Sequence, residues 1–308
     1  MECRICNNKI IEQVTIMASH PRYSETGMHY NYFFCKKCGC LQETAFPTDY
    51  SSIYNDDYFN VGKGTKKSLK DLIYERIMGD SLNSKRGLLG KLIQQDVDYS
   101  FMKKVSKDDS ILDVGCATGK FLNMLKKDGY TDITGCDPYG DVKWGGVNFY
   151  KTDIYNLSSD KKYDCITLIN VFEHLEEPDK VLYRLEELLS EKGRIYMILP
   201  VINRFLWEKF GTSIWSLSPP EHLFLHTEKS LKQLAKKANL EVMSFETHCS
   251  SILWDDKKNV DNGNVSLNNQ RSALKSIKCA ISTIKSRKRI DDRKLGNIGF
   301  LVLKKKDN

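Results

Sequence analysis

Ile111-Leu-Asp-Val-Gly-Cys-Ala-Thr-Gly119 is the stretch that decides how this chain folds. Ile111, Leu112 and Val114 form an apolar run of strand length. Gly115, Ala117 and Gly119 make a turn of small residues. Phe121, Leu122 and Leu125 then recur at helical spacing. A strand, a tight turn and a helix follow one another, and the turn lets backbone approach a ligand where side chains would collide. A dinucleotide fingerprint of the Gly-x-Gly-x-x-Gly type, counted from Gly115, would need its last glycine where Lys120 stands. A nicotinamide oxidoreductase is therefore disfavoured.

Working outward, strand patterns fall at 110–114, 132–136, 147–150, 163–169, 194–199 and 241–247, with helical patterns at 119–128, 178–189 and 228–238. Alternation of this kind predicts an α/β fold with a doubly wound sheet. Gly299-Phe-Leu-Val-Leu-Lys304 supplies a seventh strand, expected as an edge hairpin with the sixth. In open α/β sheets ligands bind beyond the carboxyl ends of the strands, so acidic residues just after strands are candidates for binding. Asp137, followed by Pro138, ends the second strand, and Asp153, followed by Ile154, ends the third. Each could equally be an Asx-turn or a helix cap.

The spacing Asp113-x-Gly115-x-Ala117-x-Gly119 resembles motif I of the class I S-adenosylmethionine (SAM) methyltransferases, with Ala117 in place of the middle glycine. The resemblance implies a Rossmann-like seven-stranded sheet with its last strand antiparallel. It also implies a cofactor set of Asp113, Gly115, Cys116, Ala117, Gly119, Asp137, Pro138, Asp153, Ile154, Asn170 and Val171. In that family Asp137 would meet the ribose hydroxyls, Asp153 the adenine amino group, and Asp113 the methionine amino group. Asp164 to Leu175 resembles motif IV. Glu173-His174 there is similar to a Glu-x-x-Glu-His motif that quinone-biosynthesis O-methyltransferases associate with a divalent ion, but Asn170 replaces the first glutamate.

Half of the ten cysteines lie before residue 48. Cys3-x-x-Cys6 and Cys35-x-x-Cys38 have the spacing of two zinc knuckles, and four thiolates fill a tetrahedron without leaving room for a water. The expectation is a small zinc ribbon over 1–48 with a structural metal, an aromatic and helical connector over 49–106, and a methyltransferase domain over 107–308. A basic helical insertion interrupts that last domain at about 255–296. With no apolar run of membrane-spanning length and no signal-peptide pattern at Met1, a cytoplasmic location is expected. The net charge of +7 belongs to the tail: from Arg271 onward there are twelve Lys/Arg and three Asp/Glu, so the remainder is slightly acidic. A broad nucleic-acid surface is not indicated. The stripe Leu274, Ile277, Ile281 and Ile284 suits a solvated docked helix, or loose contact with an anionic membrane surface.

The long segment 200–226 follows the fifth strand, where the acceptor pocket is expected. Phe205, Trp207, Phe210 and Trp215 could wall a pocket or pack a cap. Pro220-Glu-His222 resembles a Glu-His pair of sugar methyltransferases that also carry a zinc-binding front. On that resemblance His222 is the expected general base, Glu221 its partner, and His174 a reserve; a histidine suits proton removal near neutral pH. The function expected is methyl transfer from SAM to a sugar, glycan or related small molecule, at a hydroxyl oxygen. The alternatives are C- or N-methylation of a nucleotide-linked sugar, methylation of ribosomal RNA, and a non-catalytic zinc-ribbon interaction protein. Sequence does not reveal the oligomeric state.

Overall fold

The computed structural model describes residues 1–17, 29–55, 99–143, 145–248 and 295–307. In chain order the elements are β1 (Ile11–Met17), β2 (His29–Cys35), β3 (Leu41–Glu43), β4 (Ile111–Val114), α1 (Lys120–Lys127), β5 (Ile133–Cys136), β6 (Asn148–Tyr150), β7 (Tyr163–Ile169), α2 (Pro178–Leu188), β8 (Leu189–Pro200), α3 (Arg204–Phe210), β9 (Phe224–Leu225), α4 (Glu228–Lys237), β10 (Leu240–His248) and β11 (Ile298–Lys305). Tyr58, Phe59, most of the helical connector, the Asn-rich loop and the basic helix lie outside the described residues. Among the described residues no helix is long and apolar enough to cross a membrane.

Two compact units emerge. One comprises 47–198, 234–243 and 301–308; the other comprises 1–46, 199–233 and 244–300. The larger sheet has seven strands in the order β10-β11-β8-β7-β4-β5-β6, with its last strand antiparallel. Strands β4, β5, β6, β7 and β8 pair in parallel. The four positions of β4 and of β5 are all buried, as expected for strands covered on both faces. Beneath them Leu122 and Leu125 of α1 pack with Ile111, Ile133, Cys165 and Tyr130. α2 starts with Pro178 in its first turn, where no intrahelical N–H is needed, and with Asp179 suited to the positive helix end.

The fifth strand differs from its expected span. It begins at Leu189, directly after α2, because Tyr163 and Leu189 already pair across a register shift. Glu191 to Gly193, ahead of the expected 194–199 span, lie within the strand.

The other unit holds a four-stranded sheet, β1-β2-β3-β9. β1 and β2 form a seven-pair antiparallel ladder, and β3 pairs with both β2 and β9. Its core gathers Ile16, Tyr32, Leu41, Ile202, Leu206, Ile214, Leu217 and Leu225. Trp207 stacks on Phe34 with ring centroids 5.6 Å apart, and Phe205 and Phe210 pack against the same cluster. These three aromatics therefore serve packing. Segment 200–226 is not an open loop: it folds into α3, short 3₁₀ turns and the strand β9.

Gly135 on β5 faces α1 so closely that a Cβ there would lie 2.5 Å from Leu122 Cδ1 and 2.8 Å from Cys116 Sγ. Gly135→Val should lower stability by about 1–3 kcal/mol through overpacking, seen as a shift of the urea midpoint at unchanged slope.

Candidate cofactor site

β4 delivers its chain into a turn in which Gly115, Ala117 and Gly119 all adopt positive φ, at 69°, 49° and 73°. Glycine takes this conformation freely, whereas alanine pays roughly 1–2 kcal/mol for it. The cost at Ala117 is met by Asp137. One carboxylate oxygen of Asp137 accepts the Ala117 N–H at 2.8 Å; the other accepts the N–H of Tyr139 at 2.8 Å and of Gly140 at 2.6 Å. A Cβ at Gly140 would lie 2.2 Å from the Ala117 carbonyl oxygen, so the two turns interlock. A Cβ at Gly115 would lie 2.5 Å from Val171 Cγ2, so glycine is needed there for space as well as for φ.

Beyond these strand ends lies a cavity of about 520 Å³. Of the residues expected from sequence, Gly115, Ala117, Asp137, Pro138, Asp153, Asn170, Val171 and His174 line it. Asp137 keeps about one of a carboxylate's four acceptor positions for a ligand, having given three to backbone amides. Asp153 forms an Asx-turn with the N–H groups of Tyr155 and Asn156 and still borders the cavity. Asn170 adopts φ 53° and donates its N–H to the Ile198 carbonyl at 2.7 Å, which fixes the wall between β7 and β8.

Asp113, Cys116, Gly119 and Ile154 are not among the lining residues. Asp113 sits opposite Thr167 in the β4–β7 pairing and accepts its hydroxyl at 2.7 Å. Burial pushes the Asp113 carboxyl up to about 7, ahead of the opposing Thr167 hydrogen bond. Cys116 turns toward Gly135 in the core, and Ile154 is buried. The negative edge suited to a sulfonium thus comes from Asp137 and Asp153, joined by Glu176 and Glu177 at the rim.

Tyr50, Tyr54, Tyr139 and Tyr155 also line the cavity and were not expected as site residues. Tyr54 stacks on Tyr139 at 5.3 Å and meets His174 edge-on at 6.1 Å. The Tyr50 hydroxyl donates to Glu176 Oε1 at 2.7 Å. The aromatic cluster at 50–59 was the available signal, but nothing in its spacing indicates which ring faces a cavity. Next to His174, Glu173 is fully buried, and neither carboxylate oxygen has a hydrogen-bond partner among the described residues. His174 Nε2 is 3.7 Å from Glu173 Oε1. Desolvation pushes the Glu173 carboxyl from 4.5 up to about 8.

In the other unit, Cys3, Cys6, Cys35 and Cys38 are free thiols whose sulfur atoms all lie within 4.8 Å of one another. The Cys3–Cys38 and Cys6–Cys35 sulfurs are 3.5 Å apart. Zinc–thiolate bonds of about 2.3 Å give a tetrahedral edge of about 3.8 Å, close to these values. The hydrogen bond with Cys38, followed by the backbone of Cys6 and the side chain of Gln42, lowers the Cys3 thiol below its ordinary value against the effect of burial. Cys40 is buried outside the cluster, with its sulfur 3.9 Å from His226 Nδ1. In the same unit, the His222 ring contacts the Ser216 carbonyl through Nδ1 at 2.7 Å, and Glu221 is buried.

A methyltransferase-domain family model matches residues 86–244, just over half of the chain. The chain belongs to the class I SAM-dependent methyltransferases. A ubiquinone biosynthesis O-methyltransferase of Rickettsia bellii is 31% identical over 107 residues, covering 32% of this chain and 43% of that protein. A malonyl-[acyl-carrier protein] O-methyltransferase of Calditerrivibrio nitroreducens is 27% identical over 109 residues, covering 33% and 44%. The chain thus spans less than half the length of these two relatives. Among solved structures, a plantazolicin methyltransferase complexed with a desmethyl substrate analogue and S-adenosylhomocysteine has a TM-score of 0.46 at 19% identity, covering 84% of this chain and 94% of that one. The cavity fits SAM by its own features: a turn of small residues at its wall, a carboxylate with spare acceptor capacity, and further carboxylates along its edge.

Two outcomes are expected of this methyltransferase. Tyr54→Ala should weaken SAM binding about tenfold in calorimetry, whereas Tyr54→Phe keeps the ring and most of the affinity. For Glu173, the folded state holds its proton up to about pH 8 while the unfolded state releases it near 4.5. Its contribution to stability therefore falls as pH rises through that window. Glu173→Gln should match wild type below pH 4.5 and be increasingly more stable than wild type as pH rises from there to 8.5, read in urea titrations.

Proposed function

We propose that the chain transfers a methyl group from SAM to a hydroxyl oxygen of a sugar, glycan or related small molecule. The observation that carries this reading is the composition of the cavity. It joins the cofactor turn to His174, to four tyrosines and to the rim carboxylates Glu176 and Glu177. Aromatic faces with hydrogen-bonding carboxylates beside them suit a polyhydroxylated acceptor. The two relatives described above are O-methyltransferases by name, which supports oxygen over carbon or nitrogen.

SAM, when bound, supplies a methyl group on an electrophilic sulfonium. Gly115, Ala117 and Asp137 are the residues that would hold it. The rest of the chemistry is positioning and removal of one proton from the acceptor hydroxyl. His222 is assigned that proton. A carbonyl can only accept, so the contact with Ser216 requires Nδ1 to carry the hydrogen, and the neutral ring then has its lone pair on Nε2. Glu221 would partner the imidazole or bind an acceptor hydroxyl. A second reading gives the proton to His174, because that side chain lines the cavity.

A structural zinc on Cys3, Cys6, Cys35 and Cys38 belongs to the same proposal. Four sulfur donors leave no coordination position for a reacting water, so its part would be to hold the knuckles together. A cytoplasmic setting is in keeping with free thiols. A loose contact of the basic segment after Arg271 with an anionic membrane surface would serve a lipid-linked acceptor.

Incubating the protein and labelled SAM with a fractionated host extract tests the reading. Label should enter nucleotide-sugar, lipid-linked glycan or small-metabolite fractions, and Asp137→Ala should abolish it. His222→Ala should lower the rate at least a hundredfold with SAM affinity unchanged; a loss confined to His174→Ala would move the base there. Label in RNA would overturn the acceptor class, and label nowhere would favour an interaction protein.

A further inference from the structure

The four cysteines and the Glu221–His222 turn belong to one unit, and strand β3 hydrogen-bonds toward both. The Gln42 side chain donates its Nε2–H to Cys3 Sγ at 2.9 Å, and its Oε1 accepts the Arg4 N–H at 3.1 Å. Gln42 is wholly buried, and its amide is committed at both ends to the first knuckle. One residue further on, the Glu43 N–H donates to the Leu223 carbonyl at 2.9 Å. Arg4 donates through Nη1 to the Glu43 carbonyl at 2.7 Å and through Nη2 to the Thr44 carbonyl at 3.0 Å, while its guanidinium lies 4.2 Å from the centre of the Phe46 ring.

Two further contacts grip the turn. Tyr32, the cross-strand partner of Glu43, donates its hydroxyl to the His222 carbonyl at 2.7 Å. Past the turn, Thr227 Oγ1 donates to the Cys38 carbonyl at 2.6 Å. A Cβ at Gly39, which has φ 75°, would lie 3.1 Å from Thr227 Cγ2. Between these anchors, Leu225 and Phe224 pair with Leu41 and Gln42. Residues 222–227 are therefore held by the cysteine knuckles, or by the strands that leave them, at nearly every position.

The turn needs outside support. Residues 211–217 form two short 3₁₀ segments, Ser218 has φ 33°, and the Glu221 and His222 N–H groups bond the Ser218 carbonyl. Such a segment has no ladder of its own, so its order depends on what it docks against.

We propose that the four-cysteine centre is the positioning element for the Glu221–His222 turn, with Gln42 as the residue that couples them. This rests on the zinc and His222 readings given above. A metal held by Cys3 and Cys38 fixes the sulfur that Gln42 bonds and the carbonyl that Thr227 bonds. When the metal leaves, the sulfur that the buried Gln42 amide bonds is no longer fixed in place, and the β3–β9 edge loosens. Gln42 touches no reacting atom; it acts through the turn.

The test uses the full chain, with zinc content, hydrogen exchange by mass spectrometry and NMR of imidazole ¹³Cε1-labelled histidine, with His222→Ala assigning the His222 signal. Gln42→Ala is the main variant because it leaves all four thiols in place; chelation of wild type is the companion measurement. The expected result is one zinc retained in Gln42→Ala, exchange of 216–227 about tenfold faster, a displaced His222 signal, an unmoved His174 signal and unchanged SAM affinity. Chelation should give the same local pattern. Zinc present in wild type, with exchange of 216–227 and the His222 signal unmoved by either treatment, overturns the coupling alone. Wild type purified from zinc-supplemented culture and lacking zinc overturns the zinc reading and the proposal together.

Discussion

Asp137 accepts three backbone N–H groups from two different turns, and the cofactor cavity depends on that clasp. The turn after β4 cannot support itself. It runs through positive φ at Gly115, Ala117 and Gly119, and Ala117 pays for its conformation. A carboxylate that bonds N–H groups is stronger than a neutral acceptor, and its planar geometry fixes the two turns relative to each other. The close approach of Gly140 to the Ala117 carbonyl then becomes possible only with a hydrogen at Cα. The same carboxylate that shapes the cradle faces the cavity with its remaining acceptor capacity. One side chain thus both clasps the turns and borders the cavity.

That dual use sets where charge can reside. Asp113 is buried against Thr167 and pushed up to about 7, and Glu173 is pushed up to about 8. Both therefore spend part or most of their population uncharged near neutral pH. Asp137 and Asp153 instead accept backbone N–H groups at the cavity's edge. A sulfonium needs negative charge close by but not so much that repulsion destabilises the fold.

The cofactor half of the molecule was legible because its constraints are local. Three small residues after an apolar run, and carboxylates at strand ends, are short-range patterns, and β7 was placed at Tyr163–Ile169 from its apolar run alone. Which of those residues face the cavity was not legible. Cys116 and Asp113 sit in the motif yet turn inward, because side chains alternate across a strand and a turn reverses direction within two residues. Tyr50 and Tyr54 lie some sixty residues before the motif, and the stacking of Tyr54 on Tyr139 is a tertiary contact that no periodicity encodes.

Segment 200–226 shows the opposite case. Its aromatics suggested a pocket wall, yet Phe34 takes Trp207 and the β1–β3 sheet takes β9. An isolated antiparallel sheet of three strands has an unpaired edge, and β3 spans only three residues. Adding β9 satisfies part of that edge and buries Leu41 against Leu225. Apolar side chains of the segment are thereby consumed by packing. Glu221 and His222 stand where the chain has just left the cluster of Ile214 and Leu217 and is about to enter the strand. Packing of Ile214 and Leu217 on one side and the pairing of β9 on the other thus hold the backbone on either side of this pair.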